Sequence, residues 1–210
     1  MPKKFNDQEK ELIQQKLLKA GQTSFQTLGL KKTSVEDLTK ASGIAQGSFY
    51  LFYKSKEELC YEILLMEEAT IREQLLQSIA SNPAVTKESI RDFMLDGFRL
   101  MSENPLIRQM YLEGEFEYLI RKLPHELLEQ NYRDDQDAMM PVVQKWQDSG
   151  ILTDVEPELI VSMFRAIVLL SLHKKEIGEH SYTPTIELLV DVLAEGMVAR
   201  RARKDGSQDD

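Results

Sequence analysis

The sequence predicts an all-α protein, and three observations carry the prediction. Apolar residues recur at spacings of three to five, as in Leu59, Ile63, Met66, Leu75 and Ile79. No β-branched, alternating run bounded by hairpin dipeptides occurs. The prolines Pro83, Pro105, Pro124, Pro141, Pro157 and Pro184 fall mostly where one helical pattern stops and the next begins. About nine helices are expected, as an N-terminal three-helix unit followed by a helical body.

The first helix is expected from Asp7 to Leu28, with Leu12, Ile13, Leu17, Ala20, Phe25 and Leu28 on one stripe and Gly29 as its stop. A short helix follows Thr33, whose hydroxyl and Glu36 have capping-box spacing. It carries Val35, Leu38 and Ala41 and ends at Ser42-Gly43. An aromatic-rich segment runs from Ile44 to Tyr53. The run Ser55-Lys56-Glu57-Glu58 is a second capping-box pattern, opening a long helix that closes at Ser81-Asn82-Pro83. Five more helices are expected over 86–103, 105–121, 125–149, 157–176 and 184–203. Pro157 and Pro184 suit first helical turns, whereas Pro141 lies inside a pattern and is expected to kink it. The closing DGSQDD is polar and expected to be disordered.

The last two helices are apolar on nearly every side, from Leu159 to Leu172 and again from Ile186 to Val198. The first of these is too short to span a bilayer and contains Arg165, so one face meets the chain itself and the other meets something else. Two such helices from each of two chains make a four-helix interface, which predicts a homodimer. Met163, Ile167, Leu170, Leu189, Leu193 and Met197 are its candidate contacts.

Charge sharpens the division of the chain. The 35 acidic residues outnumber the 26 basic ones, a net charge of −9 that argues at first against nucleic acid as a partner. The excess is uneven: residues 1–60 carry +3 and residues 61–210 carry −12. Cys60 is the only cysteine, which excludes an internal disulfide and a cysteine-based zinc site and suits a reducing compartment. Its place four residues from Lys56 leaves open a redox role, against the simpler reading of a buried, inert thiol. The start MPKKFNDQEKE has no secretory pattern, so a cytoplasmic protein is expected, with no membrane partner. His125, His173 and His180 have no ligand spacing, and no catalytic motif occurs. Neither a metal, a cofactor nor an enzymatic activity is therefore expected.

Two short helices joined by a tight turn at Gly43 make a helix-turn-helix, which lays its second helix in the DNA major groove. That helix would run from Gln46 to Tyr53. Gly47 permits close backbone approach, Gln46 suits a paired contact with adenine, and Ser48 and Tyr50 carry hydroxyls for phosphates. Lys54 and Lys56 add charge at the next helix start. Phe49 and Tyr53 read as core and Tyr50 as outward-facing.

The stretch TSVEDLTKASGIAQGSFYLFYKSKEEL, Thr33 to Leu59, resembles the DNA-binding region of the TetR family of bacterial transcription regulators. Gly43, Gly47, Tyr50, Ser55, Lys56 and Leu59 coincide in register, and Ala20, Phe25, Gly29 and Thr33 fall at the family's spacing. The resemblance implies phosphate contacts from Thr33, Tyr50 and Lys56, and base or groove contacts from Gln46, Gly47, Ser48, Leu51 and Phe52. Ala45 departs from the family's usual Ser or Thr, and Gln46 from its common Lys. Leu51 and Phe52 stand where residues with a polar tip, His or Tyr, are common, and are suited instead to thymine methyl groups.

The resemblance further implies a head over 1–54, a sensing and dimerisation body over 55–203 and a polar tail over 204–210. It implies a ligand-responsive regulator, a repressor that binds a palindromic double-stranded operator as a homodimer. The alternative is a helical small-molecule-binding protein or enzyme without DNA binding. The effector pocket is expected among Phe93, Met94, Phe98, Met101, Met110, Tyr111, Phe116, Met139, Val143 and Trp146, which suit an apolar ligand. Most of Glu113, Glu115 and Glu117 read as solvated, with one available to a cationic ligand.

Overall fold

A computed structural model describes residues 5–81, 85–152, 155–171 and 173–205. Asn82, Pro83, Leu172 and residues 206–210, on which some expectations rest, lie outside the described residues. The described residues form eleven α-helices and one π-helical turn, with no strand. They pack as two compact units: residues 1–69 with 104–123, and residues 70–103 with 124–210.

The first unit begins with α1 (Asp7–Leu28), opened by a capping box between Asn6 and Glu9. Its buried face is narrower than the predicted stripe. Ile13, Leu17, Ala20 and Phe25 are buried, while Leu12 and Leu28 are half exposed at 53% and 50%. Gly21 joins the buried face, because a Cβ there would lie 2.6 Å from Ile63 of α4 (Lys56–Ser81). The glycine therefore permits the close approach of these two helices.

α2 (Val35–Ser42) is capped by Ser34 with Asp37, and not by Thr33 with Glu36 as the sequence suggested. Ser34 lies outside the unit's core and its hydroxyl is free to cap, whereas Thr33 is buried and turned inward. Leu38 is buried as expected, but Thr39 and Ser42 share its inner face in place of Ala41. Their hydroxyls bond back to the Val35 and Leu38 carbonyls at 2.9 and 2.7 Å, which satisfies them inside the core. Gly43 ends α2 at φ +70°, a conformation that side chains disfavour and that turns the chain into α3 (Gln46–Phe49). α3 is a single α-turn, shorter than the Gln46–Tyr53 helix expected. Ala45 supplies no side-chain cap, and tight turns continue from Tyr50 to Tyr53.

α4 uses only half of its predicted box. Ser55 accepts the Glu58 N–H at 3.2 Å, but the Glu58 carboxylate closes on the Lys54 N–H at 2.8 Å. Leu59, Cys60, Tyr61, Ile63 and Leu64 of its first turns lie in the first unit's core. The predicted helix over 105–121 is broken into α6 (Pro105–Ile107), the π-helical turn (Arg108–Leu112) and α7 (Phe116–Ile120). Gly114 at φ +82° turns the chain between the last two. Leu106, Ile107, Met110 and Leu119 of this segment are fully buried.

The second unit is built from α5 (Lys87–Glu103), α8 (His125–Asp148), α9 (Pro157–Ser171), α10 (Lys174–Ile177) and α11 (Tyr182–Asp205). The helix expected over 157–176 is thus two helices, and the last one starts at Tyr182, before Pro184. Pro141 sits inside α8. Trp146 is the centre of this unit's core. Phe93 and Phe164 meet its ring edge-on at 5.3 and 5.7 Å, a favoured aromatic geometry. Ile90, Val143, Ile160, Val190 and Ala194 close around them, all without exposed surface. Arg91–Asp191 and Lys87–Glu195 ion pairs join α5 to α11 at the rim. None of the described helices is long and apolar enough to cross a membrane.

Candidate nucleic-acid interface

The head presents one polar face whose scaffold is set from behind. Phe49 has no exposed surface and Tyr53 only 6%, with their rings 5.8 Å apart. These two anchors fix the turn that follows Gly43. Tyr50 lies between them in sequence and on the other side of the turn, 57% exposed, its ring edge-on to Phe49. Leu51 is 67% exposed, and Gln46 and Gly47 are also exposed, with Ser48 half-buried. Phe52 is half-buried and packs against Phe5 at 6.4 Å.

An open concavity beside Tyr50 lies between the starts of α2 and α4, with Lys31, Lys32, Ser34, Lys54 and Ser55 on its walls. The N-termini of two helices open towards it, and their partial positive charge adds to that of the three exposed lysines, with Lys56 and the Glu57 carboxylate also in the lining. Lys31 and Lys32 were not singled out from the sequence. Their signal was there, a pair of lysines directly before a capped helix start.

Two of the nine expected DNA-contacting residues are engaged elsewhere. Thr33 is 1% exposed, and its hydroxyl donates to the Gly29 carbonyl at 2.8 Å. The Lys56 ammonium donates to the carbonyls of Leu30 and Thr33 at 2.8 and 2.7 Å. Both side chains hold the α1–α2 loop in shape while also lining the concavity. The loop is tied from another side by Glu115, which accepts the Leu30 N–H at 3.0 Å. Lys31 lies 5.6 Å above the Tyr118 ring, and the Tyr118 hydroxyl bonds to Glu57 at 3.4 Å. Of the three alternating glutamates, Glu115 is therefore structural, while Glu113 and Glu117 are exposed and pair with Arg108 and Arg121.

The residues expected to line an effector pocket divide between the units. Met110, Tyr111 and Phe116 belong to the first, where the rings of Tyr111 and Phe116 lie 4.6 Å apart. Phe93, Met94, Phe98, Met101, Met139, Val143 and Trp146 belong to the second, where Phe93, Met94, Val143 and Trp146 are buried core. The candidate dimer contacts divide by direction. Ile167 and Met197 are 4% exposed and face their own unit's core, so they are not outward contacts. Met163, Leu189 and Leu193 are partly buried against that core, and Leu170 is 45% exposed. The outward positions include Leu159, Leu169, Leu188 and Val192, at 45–64% exposure together with Leu170.

Cys60 has no exposed surface. Burial, with Glu115 and Glu57 nearby, pushes its thiol up to about 12 and outweighs the opposing Lys56 charge. Burial likewise raises the Tyr53 phenol well above its usual range.

An all-helical fold that carries a helix-turn-helix is the architecture of DNA-binding transcription regulators. Residues 17–63 match the bacterial regulatory proteins of the tetR family. It is 26% identical over 172 residues to YfiR of Bacillus subtilis strain 168, an HTH-type transcriptional regulator, covering 78% of this chain and 80% of YfiR. Among solved structures, a TetR-family regulator from Pectobacterium atrosepticum superposes with a TM-score of 0.74 at 18% identity, over 92% of this chain and 98% of that one. SmeT of Stenotrophomonas maltophilia does so with a TM-score of 0.60 at 21% identity, over 87% of this chain and 88% of SmeT. These two likenesses are of fold.

Proposed function

We propose that the protein is a homodimeric repressor that binds a palindromic operator and releases it when a small molecule fills the helical body. The observation that carries the reading is the contrast within one turn of chain. Phe49 and Tyr53 are locked in the core while Gln46, Gly47, Tyr50 and Leu51 stand exposed beside Lys31, Lys32 and Lys54. Such a turn is rigid, positively framed and free to enter a major groove. On this reading Tyr50 and Lys54 meet phosphates, and Gln46, Gly47, Ser48 and Leu51 meet base edges. Thr33 and Lys56 act indirectly by shaping the loop.

Two-fold symmetry supplies the second half-site. Leu159, Leu169, Leu170, Leu188 and Val192 on α9 and α11 are large, apolar and exposed, and two copies would bury them in a four-helix contact. Functionally the chain divides into a reading head over 1–54, a sensing and dimerising body over 55–203 and a tail. SmeT is described as the repressor of a multidrug efflux pump, and its complex with triclosan is known. An apolar effector is the corresponding expectation here, a cationic one being served by the acidic body. A cytoplasmic setting suits this role.

The test is to incubate the purified protein with sheared genomic DNA and sequence what it retains. A shared inverted repeat in the retained fragments supports the reading. Retention of random sequence overturns it.

A further inference from the structure

We infer that Leu51 reads the 5-methyl group of a thymine in each operator half-site, beside an opening that Gly47 provides for that base edge. The inference rests on the proposed reading that this face enters the major groove. Leu51 is 67% exposed, the most exposed of the large apolar side chains among the described residues. It stands next to exposed Tyr50 and three residues before exposed Lys54, where a solvated polar residue would serve the free protein at least as well. Phe52, the other apolar candidate, packs on Phe5 and is half-buried.

Gly47 points the same way. Its backbone is not in the left-handed region, and a Cβ built there would meet nothing within 4 Å. Alanine would therefore fit the free chain and favour the helix. The free chain thus gives no steric or conformational reason for glycine here, and a bare backbone at an exposed position suits close approach by a base edge. DNA supplies both partners together. Phosphates and sugars are polar or hydroxyl-bearing, and thymine alone among the four bases carries a methyl group on its major-groove edge. A leucine tip makes no hydrogen bond, so it has no means of reading the edges of adenine, guanine or cytosine.

The test begins with the operator obtained from retained genomic fragments. Duplexes are then made in which each thymine is replaced singly by deoxyuridine, which removes only the methyl group. At one symmetry-related pair of positions, affinity should fall about fourfold per half-site, the factor that burial of one methyl-sized group carries. Leu51→Ala should bind the thymine and deoxyuridine duplexes equally, with an unchanged melting temperature because the side chain is exposed. Gly47→Ala should weaken binding to both duplexes while the free protein melts no lower. If no thymine position responds to loss of its methyl, or if Leu51→Ala discriminates as well as the parent, the assignment is wrong. Failure to retain any shared sequence in the first step would instead overturn the underlying reading of the head.

Discussion

Replacing Lys56 with methionine separates a residue that touches DNA from one that shapes the surface touching it. Methionine keeps much of the aliphatic stem and removes the ammonium. The carbonyls of Leu30 and Thr33 then lose donors at 2.8 and 2.7 Å in a partly buried setting, and that of Lys31 a longer, exposed one at 3.4 Å. A charge-assisted bond contributes about 1.5–3 kcal/mol when sheltered, and water replaces part of it at a half-exposed lysine. The loss is therefore about 2–3 kcal/mol, or roughly 5–10 °C in melting temperature for a chain of this size. Calorimetry measures that shift.

A salt titration of operator binding gives the second readout. Each phosphate contact contributes about 0.9 to the slope of log affinity against log salt. Lys54→Met, at an exposed lysine of the concavity, should lower the slope by about 1.8 for a dimer and leave melting nearly unchanged. Lys56→Met should do the reverse, with lowered melting, weaker binding and an unchanged slope. If Lys56→Met melts like the parent and lowers the slope as Lys54→Met does, its ammonium sits on a phosphate and the structural role is refuted.

Other outcomes follow from the same geometry. Tyr50→Ala, at an exposed side chain, should weaken operator binding without lowering the melting temperature; equal affinity across a salt titration would remove Tyr50 from the interface. Leu188→Glu with Val192→Glu places charge on two side chains 64% and 60% exposed, and should yield a folded monomer in sedimentation; a dimer that persists puts the contact on another surface. Cys60, its thiol pushed up to about 12, should resist thiol reagents at pH 8 until denaturant is added. Its raised value has a signed consequence, since an unfolded thiol ionises first. The stability it contributes is whole below about pH 9 and is lost as pH rises towards 12, and Cys60→Ala should flatten that decline in pH-dependent unfolding.

Part of this protein was legible from local rules. Apolar spacing placed α1 over Asp7–Leu28, and Ser42-Gly43 marked the end of α2, because both signals act within a few residues along the chain. Gly43 likewise marked the turn between α2 and α3, where its φ of +70° lets the chain reverse. Tertiary structure decided where each side chain was used. Thr33 and Lys56 carry the chemistry of phosphate ligands, yet the carbonyls of the α1–α2 loop lie within their reach and take their donors. Gly114 and a π-helical turn break a stretch that periodicity reads as one helix. On α9, which is apolar nearly all round, and on α11, where apolar residues flank a single stripe of Glu187, Asp191 and Glu195, sequence does not say which apolar positions face inward. Packing turned Ile167 and Met197 inward and left Leu188 and Val192 exposed, since only the neighbouring helices determine which side of an apolar cylinder is covered.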